Sequence, residues 1–413
     1  MNAKPYDVIA FGATSFVGKL LCRYLASHFN SGELKWAAAG RSIEKLEQMR
    51  ASLVRTDAEI PLIVADARDE RSLAAMCAQT AVVVSTVGPY ALYGEPLVKV
   101  CAELGTDYCD LTGEVQWIRR MLDRYETTAS RTGARIVPCC GFDSVPSDLG
   151  VHFLQKRAFD RFGRYCPHVK MRVKAMRGGA SGGTIASLVN VAKEVAENPA
   201  LRRELQNPYL LCPRDHQART RQESLSRPQY DRDFEAWLAP FIMAGINTRV
   251  VHRSNALMNY AYGEDFRYDE AMLAGVGLRG GMTAFAIAGG LGGFVAMTAM
   301  APSRWLLQRF VLPAPGDGPS PRSQAEGFYD LRFVGSFDDE RTIGAKITGD
   351  ADPGYGSTSK MLGQVAACLA HSGKDNRKGG FWTPATLLGD PLIDALQKHA
   401  GLSFALVDGG KRV

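Results

Sequence analysis

The sequence predicts an α/β protein: a doubly wound parallel sheet in the first third of the chain, then a second α+β domain with a mostly antiparallel sheet. Three observations carry that reading. Short apolar runs alternate with longer helical stretches as far as Cys139. The runs are continuously apolar, as in Ala-Val-Val-Val at Ala81–Val84, which suits strands buried on both faces. After Gly150 the rhythm changes: Val169, Met171, Val173 and Ala175 interleave with Lys170, Arg172 and Lys174, the period of two of a half-exposed strand.

In the first part, strands are expected over Tyr6–Phe11, Leu34–Ala39, Pro61–Ala65, Ala81–Thr86, Thr106–Leu111 and Ala134–Cys139. Helices are expected between them, over Phe16–Phe29, Ile43–Val54, Ser72–Gln79, Pro96–Leu104 and Val115–Thr132. A helix between successive strands is the crossover that parallel pairing needs. In the second part, Tyr329/Leu331/Phe333 and Ile343/Ala345/Ile347 alternate on either side of the turn Asp338-Asp339-Glu340, and the stretch from Pro313 to Pro321 is a turn-rich connector.

A chain of 413 residues exceeds one simple core, and 46% hydrophobic with 22% charged residues is ordinary for a folded protein. The net charge of +6 is mild and forms no concentrated basic stripe, so nucleic acid is not an expected partner. The arginines at 202, 203, 214, 219, 221, 227 and 232 read as a solvated helical face or as a surface for an acidic carrier domain. Nine scattered cysteines, with only Cys139 and Cys140 close together, read as reduced thiols of a cytoplasmic protein. Met1 to Tyr6 run into a strand with no apolar leader, so export is not expected. From Gly280 to Ser303, 24 residues carry no charge, yet six are glycine. A buried helical hairpin is the favoured expectation there, ahead of a peripheral membrane-surface element and a membrane span.

The chemistry begins at Gly12-Ala-Thr-Ser-Phe-Val-Gly18, between the first strand and the first helix. Gly12 allows a tight turn, Gly18 lets the helix lie close to the sheet, and the first-turn N–H groups of Thr14, Ser15, Phe16 and Val17 can face a pyrophosphate. Ser15 stands where the usual pattern has its middle glycine. This is a dinucleotide-binding fingerprint in a Rossmann setting. The second strand ends in Gly40-Arg41-Ser42 with no carboxylate at its tip, where an NAD site carries an acid. Arg41 can instead pair with a 2′-phosphate and Ser42 can bond it, so NADP is the expected cofactor. Asp66, at the end of the third strand, lies near the adenine or caps a helix. Ser85, Val87, Gly88 and Pro89 follow the fourth strand and pass under the nicotinamide ribose.

Tyr90, Asp143 and Tyr355 are the candidate proton donors. Asp143 belongs to the polar cluster Cys139–Asp148, and the stretch Arg177–Thr184 is a substrate loop or a tight turn. Isolated histidines without metal-ligand spacing argue against a metal site, and no G-x-S-x-G elbow or Walker lysine is present.

Together with Ser85–Tyr90, Asp107–Glu114, Cys140–Asp148, Asn247–Val251, Arg253–Ala256, Asp352–Gly356 and Gly380–Ala385, the glycine loop and Ala39-Gly-Arg41 resemble the saccharopine dehydrogenase-like oxidoreductases, nearest the trans-acting enoyl reductase branch. The resemblance implies an NADP-binding domain over 1–148, an α+β substrate domain over 149–378, and a C-terminal segment, 379–413, returning to the first domain. It also implies reduction of a carbon–carbon double bond in a lipid or polyketide enoyl substrate. The partners that follow are a lipophilic or carrier-bound substrate, an acyl carrier domain and a peripheral membrane contact, with a homodimer allowed. A saccharopine-type amino-acid or imine oxidoreductase, and a non-catalytic NADPH-binding protein on a lipid surface, are the rival readings.

Overall fold

A computed structural model describes residues 4–30, 32–53, 60–178, 182–299, 318–373 and 378–407. Seven strands make the first sheet: β1 (Tyr6–Phe11), β2 (Trp36–Gly40), β3 (Leu62–Val64), β4 (Thr80–Ser85), β5 (Asp107–Asp110), β6 (Arg135–Val137) and, from far along the chain, β13 (Gly380–Phe381). Their order is β13-β6-β5-β4-β1-β2-β3 and every pairing is parallel.

The apolar runs are continuous because each face is covered. Val8, Ala10, Val82 and Val84 pack on one face with Leu21 and Leu25 of helix Phe16–His28 and Met361 and Val365 of helix Thr358–His371. Ile9, Phe11 and Val83 point the other way, toward Leu73, Leu97, Val98 and Ile118. Burying each such branched side chain contributes about 1.5–3 kcal/mol, enough to hold β1 centrally between β2 and β4. Arg135 on β6 forms a buried pair with Asp107 on β5, Nε to Oδ2 2.9 Å, and donates to the Leu369 and Ser372 carbonyls. That one guanidinium fixes the end of helix Thr358–His371 to the sheet.

The second sheet contains β7 (His168–Arg177), β8 (Gln229–Asp231), β9 (Ala236–Pro240), β10 (Arg267–Gly275), β11 (Phe328–Ser336), β12 (Thr342–Gly349) and β14 (Leu402–Val407). Its order is β14-β12-β11-β7-β10-β9-β8, antiparallel throughout except for β7 with β10. Helix Val145–Phe162 crosses it so closely that a Cβ on Gly150 would sit 2.4 Å from the Phe333 ring. The C-terminal segment divides: Gly380–Phe381 joins the first sheet, and Leu402–Val407 joins the second.

The expectation of a buried hairpin over Gly280–Ser303 is corrected. One uninterrupted helix, Gly277–Ala299, replaces it, and residues 300–303 lie outside the described set. Leu278, Met282, Phe285 and Val295 are exposed, and only 17% of its most apolar window is buried. Its base is anchored where Gly281 faces Trp237 and Gly280 lies against the Gly275 carbonyl. Beyond that base, Gly289, Gly290, Gly292 and Gly293 meet open space. Glycine costs a helix about 1 kcal/mol per residue but does not forbid it. By length and composition this helix is sufficient to cross a membrane.

Candidate active site

The glycine loop is built by contact. Gly12 turns out of β1 at φ +88°, and a Cβ there would lie 2.7 Å from Thr86 Oγ1 and 2.8 Å from Val87 Cγ2. A Cβ on Gly18 would lie 2.1 Å from the Gly12 carbonyl oxygen, so only glycine lets the helix start this close. Ser15 caps that helix: its Oγ accepts the Gly18 N–H at 2.9 Å and sits 3.0 Å from Thr86 Oγ1. The Phe16 and Val17 N–H groups find no acceptor among the described residues. Two orphan donors at a helix N-terminus, over a cradle that a side chain would fill, fit a dinucleotide pyrophosphate. Thr14 is half-buried beside Gly40 at the tip of β2.

At that tip Arg41 is exposed and makes no hydrogen bond or ion pair with a described residue. Ser42 caps helix Ile43–Ala51 by accepting the Lys45 N–H at 3.2 Å, and donates to Glu44 Oε2 at 2.6 Å. That bond holds the Glu44 carboxyl below its usual range. Asp66 accepts the Arg68 N–H at 3.0 Å in the turn after β3, while Asp69 provides the cap of helix Glu70–Cys77. Ser85 Oγ accepts the Val87 N–H at 3.4 Å.

A cavity of about 680 Å3 opens beside the loop. It gathers Ser15, Phe16, Val17, Gly88, Pro89, Tyr90, Asp143 and Tyr355. Gly12, Thr14, Gly18, Ser85 and Val87 lie beneath or beside it, and Arg41, Ser42 and Asp66 stand at the strand tips outside it. The opposite wall is mostly apolar and comes from helices Gly182–Glu197 and Ala244–Leu257 and the turn before the latter, with Ile185, Leu188, Ile242 and Ile246 facing in.

The three candidate donors differ. The Tyr90 hydroxyl donates to the Ser85 carbonyl at 2.9 Å, so its proton is turned into the sheet, and burial raises its pKa well above the ordinary value. Tyr355 is placed by a short π-helical turn, Pro353–Ser357, in which Asp352 accepts the Tyr355 and Gly356 N–H groups. Its ring stands edge-on to Phe16, centroids 4.8 Å apart, and its hydroxyl accepts the Gly182 N–H at 2.7 Å. Asp143 follows Phe142, whose N–H donates to Thr358 Oγ1 at 2.9 Å. The Asp143 carboxyl makes no hydrogen bond with a described residue, and desolvation pushes its pKa up to about 7.

Glu114 and Arg249 also line the cavity and were not singled out from sequence. The Glu114 carboxylate accepts the N–H groups of Tyr90 at 2.8 Å and Ala91 at 2.9 Å, and the Ser187 hydroxyl at 2.7 Å. It thereby joins the loop after β4 to helix Gly182–Glu197. Its place just beyond the carboxyl end of β5 was the available signal, since ligands of open α/β sheets gather there. Arg249 lies in the stretch Asn247–Val251 that carries the family resemblance, but its residue type and spacing do not mark it.

Residues 8–137 match the saccharopine dehydrogenase NADP binding domain family. The chain is 37% identical across 406 residues to the trans-acting enoyl reductase of Mycobacterium bovis, covering 95% of this chain and 96% of that one. It is 35% identical across 409 residues to the trans-acting enoyl reductase of Mycobacterium ulcerans, with the same coverage. Among solved structures, the apo saccharopine dehydrogenase (L-Glu forming) of Saccharomyces cerevisiae superposes with a TM-score of 0.55 at 13% identity, over 97% of this chain and 100% of that one, a likeness of fold. With its glycine cradle, orphan helix N–H groups and full-length relatives, the chain belongs to the saccharopine dehydrogenase-like NADP-dependent oxidoreductases, in the branch that holds the trans-acting enoyl reductases.

Proposed function

We propose that the protein reduces a carbon–carbon double bond of a lipid or polyketide enoyl thioester. The observation that carries this reading is the apolar cavity of about 680 Å3 continuous with the glycine loop, which suits a hydrocarbon chain far better than a zwitterion. NADPH, when bound, supplies the hydride taken by the substrate β-carbon. The protein's share is to orient and to manage charge and protons. The glycine loop and the Phe16 and Val17 N–H groups hold the pyrophosphate, and Arg41 holds the 2′-phosphate. Tyr355 donates a hydrogen bond to the thioester oxygen, where negative charge develops. Asp143 in its acid form gives a proton to the α-carbon. Glu114, saturated by three donors, keeps the two walls of the cavity together.

The test is turnover of C4-deuterated NADPH with long-chain α,β-unsaturated thioesters, free and carrier-bound. Deuterium at the β-carbon and slow reaction of short soluble enoyl compounds are expected, because remote binding orients the double bond. Efficient turnover of saccharopine or another polar imine, with long enoyl thioesters inert, would replace this reading with the amino-acid one.

A further inference from the structure

Buried arginines in this fold keep company with carboxylates. Arg135 pairs with Asp107, Arg172 with Asp231 and Asp269, Arg119 with Asp123, Arg253 with Glu126 and Arg332 with Asp330. Arg249, half-buried at the cavity, departs from that pattern. Its guanidinium donates to two neutral acceptors, the Gly245 and Leu205 carbonyls, and its Nε is buried with no partner among the described residues. No described acidic residue pairs with it, although Glu114 and Asp143 line the same cavity. Burial lowers its pKa only to about 10, so it stays cationic at neutral pH. A partly desolvated cation without a described counter-charge is a cost to the folded protein, and such groups recur where a ligand completes them.

Its position narrows the ligand. Ile242, Gly245, Ile246 and Arg249 line the cavity and recur at the spacing of one helix face. Met243, at the start of that helix, reaches within 3.9 Å of where a Gly113 Cβ would be, a point 3.7 Å from Asp143 Oδ2. Six residues further on, at 1.5 Å rise each, the Arg249 backbone stands about 9 Å along the axis, and its guanidinium turns back to the Gly245 carbonyl. The pyrophosphate donors lie on the first domain, and the 2′-phosphate residue lies at the tip of β2. We propose that Arg249 receives an oxyanion carried by the substrate, on the wall that helix Ala244–Leu257 gives the cavity. A phosphate on a pantetheine arm and a carboxylate on the acyl chain share this chemistry.

The proposal rests on the enoyl-thioester reading for its substrate, and binding without turnover separates the two. Wild type, Arg249→Met and Arg249→Lys, each saturated with NADP+, are titrated calorimetrically with phosphopantetheine against pantetheine, and with suberate against octanol. Wild type should bind one anionic probe at least tenfold tighter than its neutral partner. Arg249→Met should abolish the difference and Arg249→Lys should keep part of it. Which pair responds identifies the oxyanion as phosphate or carboxylate. Equal binding of anionic and neutral probes by the wild type overturns the proposal, a result that needs no variant to fold. Equal weakening of both probes in Arg249→Met, or a loss confined to NADP+ affinity, also overturns it. If no enoyl thioester is reduced while Arg249-dependent anion binding persists, the enoyl reading fails and the anion site stands.

Discussion

The Tyr355 hydroxyl accepts the Gly182 backbone N–H at 2.7 Å. An accepted hydrogen bond uses a lone pair and leaves the O–H proton free to be donated. Tyr90 has the opposite arrangement, since its proton goes to the Ser85 carbonyl. Tyr355→Phe should therefore lower kcat by about 100-fold, the usual scale for one lost charge-stabilising donor, with KM for NADPH unchanged. Tyr90→Phe should cost about 1 kcal/mol of stability and little activity. Steady-state kinetics beside denaturant unfolding distinguishes these, and a reversed pattern would exchange the roles of the two tyrosines.

As the proposed acid, Asp143 should set a pH dependence. Its carboxyl, raised to about 7 by desolvation, must be protonated to act as the acid. The rate should hold below that value and fall roughly tenfold per pH unit above it. Asp143→Asn should lower the rate and flatten the profile. A wild-type rate independent of pH between 5 and 9 (a range of about two units either side of the carboxyl's value) would show that another group gives the proton.

Arg41 is exposed and keeps its guanidinium free of the described acidic residues. A charge-assisted contact contributes roughly 1.5–3 kcal/mol, so NADPH should bind at least about tenfold tighter than NADH. Arg41→Ala should remove most of that preference and leave NADH affinity nearly unchanged. Equal affinities in the wild type, measured by fluorescence titration, would falsify the role given to Arg41.

The apolar helix Gly277–Ala299 sits between two strands of one sheet. The chain leaves β10 at Gly275 and re-enters at Phe328 in β11, and both strands flank β7. A single crossing of a bilayer would strand β11 on the wrong side. The return sequence contains Arg304, Arg309 and Asp317, too charged for a second crossing. The helix should therefore lie on a membrane surface, and carbonate or mild detergent should release the protein. Carbonate resistance with one-sided protease protection would establish a span.

The nucleotide half was legible because its signals are local. Gly12 and Gly18 are dictated by atoms a few residues away or on the adjacent strand, and the apolar runs report burial directly. Strand and helix limits there shift by at most three residues: Leu34–Ala39 is Trp36–Gly40, Ser72–Gln79 is Glu70–Cys77, and Ile43–Val54 is Ile43–Ala51. What escaped was set by distant packing. The lone charge of Arg249 is visible only once the partners of the other arginines are known, since in sequence it is one arginine among many. Tyr90 and Tyr355 are alike as residue types, and only their hydrogen-bond partners separate them. The exposed helix was misread because an apolar, glycine-rich stretch looks the same whether a core or a bilayer covers it.

The late strand β13 bears on synthesis. Gly380–Phe381 supplies the parallel neighbour of β6, and Arg135 is completed by carbonyls near residue 370. A ribosome releases the glycine loop first, yet the outer border of its sheet stays uncovered until nearly the whole chain has emerged. The nucleotide-binding part should thus not fold early and by itself. Removing the last quarter of the chain should leave an aggregating fragment rather than a smaller cofactor-binding protein.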